Sequence, residues 1–108
     1  PNDNPDNTGG GSNNPYGVSE SQINKIAEDL YNEMNGFNVN RDYAPYDEFL
    51  LLSDTDFTKV YNAFNKEHQD EGEGTLKEWI DNEKYLWDNR FATIKKNIAA
   101  KMARLNLK

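Results

Sequence analysis

The chain has 108 residues, a formal net charge of −7 and no cysteine. That length bounds it at one domain, and the missing thiols exclude disulfides, thiol catalysis and every cysteine-based zinc site. No apolar run reaches the ~18 residues of a membrane-spanning helix, and no signal-peptide pattern is present.

The charge is unevenly placed. Residues 1–88 carry 19 acidic and 6 basic side chains, net −13, whereas residues 89–108 carry 6 basic and no acidic ones, net +6. An acidic body argues against nucleic acid as a partner, because such binding leans on neutralising phosphates. The basic end reads first as a helix whose cations complement its own dipole and an acidic neighbour. Lys95, Lys96, Lys101 and Arg104 also form a candidate basic patch for an anionic surface.

Residues 1–18, PNDNPDNTGGGSNNPYGV, hold five Asn, four Gly and three Pro. Such a segment has too little to bury to offset its ordering entropy, so it is expected to be a flexible tether. With Pro1 in first place, the tether gives the expectation of a piece cut from a longer protein. The folding unit is then 19–108.

Its first helix is predicted over 19–35. Ser19 and Gln22 have the spacing of a capping box, and Val18 is placed to staple onto Ile23. Ile23, Ile26, Ala27, Leu30, Tyr31 and Met34 recur on one helical face. Gly36 is placed to end the helix in a left-handed conformation. After a loop, Pro45 opens a short second helix over 45–52, with Tyr46, Phe49, Leu50 and Leu52 available for burial.

Ser53 and Asp56 repeat the cap spacing, and Leu52 with Phe57 repeats the staple. The third helix buries Phe57, Val60, Tyr61, Phe64 and His68 until the acidic, glycine-bearing stretch 69–74 breaks it. Thr75 and Glu78 give a third capping box, opening a fourth helix that buries Leu76, Trp79 and Ile80. Asp88 or Asn89 caps a fifth helix with the stripe Phe91, Ile94, Ile98, Met102 and Leu105. Its alanines Ala92, Ala99, Ala100 and Ala103 are read as positions of close helix approach. No alternating run with a hairpin turn is present. The expected fold is therefore all-α: a compact five-helix domain behind a disordered tether.

Chemical constellations are sparse. Asp54-Thr55-Asp56 starts like a calcium-binding EF-hand loop, but Lys59 stands where that loop needs Gly and Asn65 where it needs Glu. The two acids are explained as first-turn residues at a helix N-terminus. His68 is the only histidine. No base is spaced to activate a Ser or Thr nucleophile, and no glycine-rich phosphate loop follows a strand. The chain is accordingly read as no enzyme, with no catalytic residue and no required cofactor. Tyr43, Tyr46, Tyr85 and Trp87 fall near loops or helix ends and form a candidate surface for a protein partner.

With five helices placed, the pattern resembles a single annexin-type repeat. Residues 27–38, AEDLYNEMNGFN, resemble its first helix and the M-K-G-x-G-T turn. Residues 52–64, LSDTDFTKVYNAF, resemble its B–C junction and third helix, while 75–83 and 91–105 resemble the fourth and fifth. Here Asn38 replaces the family's second turn glycine and Val39 its threonine. The resemblance implies a possible calcium site built from Gly36, Asn38 and Val39 of the turn with the acid Glu83, and thus a calcium-responsive contact with an anionic lipid or acidic surface. It also implies a module appended to a virion or bacterial cell-surface structural protein. The function expected is a non-catalytic structural or protein-interaction role.

Overall fold

The computed structural model describes residues 17–35, 42–70, 74–83 and 88–107. They form five helices: α1 (Glu20–Met34), α2 (Ala44–Leu51), α3 (Asp54–His68), α4 (Leu76–Asn82) and α5 (Asn89–Arg104). No strand occurs among the described residues. The all-α expectation is met, with helix bounds within a residue or two of those expected.

Four of the five helices start where an N-cap side chain supplies a missing backbone partner; α2 starts at Ala44–Pro45 without one. Ser19 Oγ accepts from Gln22 N–H at 3.2 Å, and Ser53 Oγ accepts from Asp56 N–H at 3.2 Å. Only the Thr75–Glu78 pair closes reciprocally: Thr75 Oγ1 accepts from Glu78 N–H, and Glu78 Oε1 accepts from Thr75 N–H. Asp88 caps α5 by accepting from Phe91 N–H at 2.9 Å. The C-terminus of α5 closes in a Schellman motif. Leu107 N–H donates to Met102 O, Asn106 N–H donates to Ala103 O, and Asn106 takes the left-handed conformation at φ 59°. Gly36, expected to end α1 this way, lies outside the described residues.

Two long-range bonds set how α1 and α3 lie. Val18 N–H, just before α1, donates to Asp56 in the first turn of α3 at 3.3 Å. At the far end His68 Nε2 meets Glu28 Oε2 at 2.6 Å. Start joins start and later joins later, so the two helices run side by side in the same direction. This is the most extensive helix contact in the fold, and α2 and α4 bridge from it to α5.

The predicted stripes meet in one core. Leu30, Phe49, Phe57, Val60, Phe64, Leu76 and Ile98 are fully buried, with Ile80 and Met102 nearly so. Phe49 and Phe57 stack at 4.0 Å, while Tyr31, Phe64 and Trp79 meet edge-on or tilted. Each fully buried side chain of this size stabilises by about 1.5–3 kcal/mol.

Val18 and Leu51 lie as the sequence reading placed them, and the alanines of α5 correct it. Val18, expected to staple α1, is half-buried against the core. Leu51 is 87% exposed because α2 turns it away from the core, while its neighbours Leu50 and Leu52 are half-buried. Ala92, Ala100 and Ala103 are exposed, so they make no close helix approach, and Ala99 alone of that set is half-buried.

Candidate functional site

The cations of α5 are largely occupied within the molecule. Lys101 Nζ donates to Leu50 O at 3.0 Å and Leu52 O at 2.6 Å, and lies 4.7 Å from the centre of the Phe57 ring. Lys95 Nζ donates to Asp81 O at 2.8 Å and Glu83 O at 3.0 Å. These are the carbonyl ends of α2 and α4, the two short helices with no basic residue in their own last turn. Lysine thus completes each dipole from a neighbouring helix. Partial burial pushes the Lys101 ammonium below the ordinary lysine range, against an upward pull from Asp54.

Arg104 grips Asp54 at the N-terminus of α3 through two bonds of 2.9 and 2.8 Å. That bond holds the Asp54 carboxyl below the usual carboxylate range. Arg90 pairs with Asp47 at 3.0 Å. Of the expected basic patch, Lys95, Lys101 and Arg104 therefore act as struts between helices. Lys96 is exposed.

The expected aromatic surface also turns inward where it is described. Tyr46 is 1% exposed and meets Phe91 edge-on at 5.2 Å, which makes it a core residue. Tyr43 is half-buried; its hydroxyl donates to Asp88, and the Arg90 guanidinium lies 4.2 Å above its ring. Tyr85 and Trp87 lie outside the described residues. So do Gly36, Asn38 and Val39 of the possible calcium turn. Glu83 is half-buried, and its carbonyl already receives the Lys95 ammonium. Among the described residues no three His, Asp or Glu side chains converge as a metal site.

His68 is 6% exposed at the end of α3. Its ring stacks on Tyr31 at 3.7 Å and 6°, and its Nε2 points to Glu28. The arrangement seals the far end of the α1–α3 contact and holds no nucleophile.

An open groove of about 1030 Å³ runs along that contact. Its apolar lining residues are Val18, Ile23, Ala27 and Ala63, of which Ile23 and Ala27 are buried in the core and Val18 and Ala63 half-buried. The α1 rim carries Glu20, Asn24 and Glu28; the α3 rim carries Lys59, Asn62 and Lys66, with the acid Glu67 beyond. Glu20, Lys59, Lys66 and Glu67 hold no ion pair among the described residues.

No protein-family profile, curated protein or solved structure matches the chain.

The groove itself was not anticipated from the sequence. One signal for it existed: Ala27 on the α1 stripe and Ala63 beside the α3 stripe are small side chains. Asp56 is the second omission. Read as a dipole acid, it is 4% exposed and spends one carboxylate oxygen on Val18 N–H.

Proposed function

We propose that the chain is a non-catalytic protein-interaction domain that binds its partner along the α1–α3 face. One observation carries this reading: the open groove along the α1–α3 contact, whose lining charges Glu20, Lys59, Lys66 and Glu67 hold no ion pair among the described residues. Elsewhere the charged side chains largely brace the fold, as the α5 cations do. A broad, open face with a polar, water-accessible rim suits a protein contact. A small-molecule site instead converges a few placed polar groups inside an enclosed cavity. The groove here is open.

The test is site-specific photo-cross-linking in an extract of the protein's native source. A benzophenone side chain at Asn62, in the groove rim, should give a discrete protein adduct; the same group at Lys96 on α5 should not. Adducts from Lys96 alone, or from neither position, overturn the reading.

A further inference from the structure

We draw no further inference here: the strongest candidate, the open groove along the α1–α3 contact lined by Glu20, Lys59, Lys66 and Glu67, belongs to the site already described, and nothing in the structure shows what covers it.

Discussion

Gly74 shows how one residue can decide a helix start. It adopts φ 98°, and a Cβ placed on it would come within 2.2 Å of Glu78 Oε1. The carboxylate in that space is the one that accepts from Thr75 N–H and closes the capping box of α4. An alanine would strain the backbone and displace the carboxylate together. Gly74→Ala is expected to cost about 1–3 kcal/mol in urea unfolding. Loss of under about 0.5 kcal/mol, the range of unremarkable surface changes, would contradict the account. Asp56 teaches a related point. The hydroxyl-x-x-acid spacing at Ser53 is the same as at Thr75, yet its acid leaves the local box and bonds Val18, 38 residues away. The local pattern names the donor and acceptor types; it does not say which acceptor a buried backbone N–H will find. Asn65 likewise gives its side-chain oxygen to Leu76 N–H at 2.7 Å, a cap on α4 supplied from α3.

At the scale of the elements, α5 is the brace. Its basic side chains reach the carbonyl ends of α2 and α4 and the acidic start of α3. Short helices gain little from their own propensity and depend on such tertiary contacts. Lys101→Met retains much of the stem packing and removes the donor to Leu50 O and Leu52 O. The expected loss is about 1–2 kcal/mol, the cost of leaving partly buried acceptors unpaired. Amide exchange should rise first in α2, before α1 or α3. Uniform protection after the substitution would show that the ammonium is not holding that end. Periodicity located α5 and its apolar stripe correctly. The purpose of its cations was not legible, because their acceptors are main-chain carbonyls that carry no sequence signature.

Across the whole molecule, the α1–α3 pairing creates both the core and the candidate site. The calcium reading implied by the resemblance can be tested at this scale. A ligand that binds only the folded chain must raise its melting temperature. On the non-catalytic interaction reading, millimolar calcium is expected to leave the melting temperature unchanged in differential scanning calorimetry. A calcium-dependent rise, with binding to phosphatidylserine vesicles, would favour the anionic-surface reading.

Helix number, approximate helix bounds, most of the buried stripe and the caps Ser19, Ser53 and Thr75 could be read along the chain, with Asp88 one of two candidates for the fifth helix. They depend on contacts within about four residues, where backbone geometry allows few alternatives. Which charges remained available could not be read that way. Lys95, Lys101 and Arg104 looked like a patch, and Tyr46 like part of a surface, until folding brought distant carbonyls, Asp54 and Phe91 against them. The groove arose by the same route. Ala27 on the α1 stripe and Ala63 beside the α3 stripe are ordinary small residues, and only the parallel packing of α1 on α3 sets them together between Glu20 and Glu28 on one side and Lys59, Lys66 and Glu67 on the other.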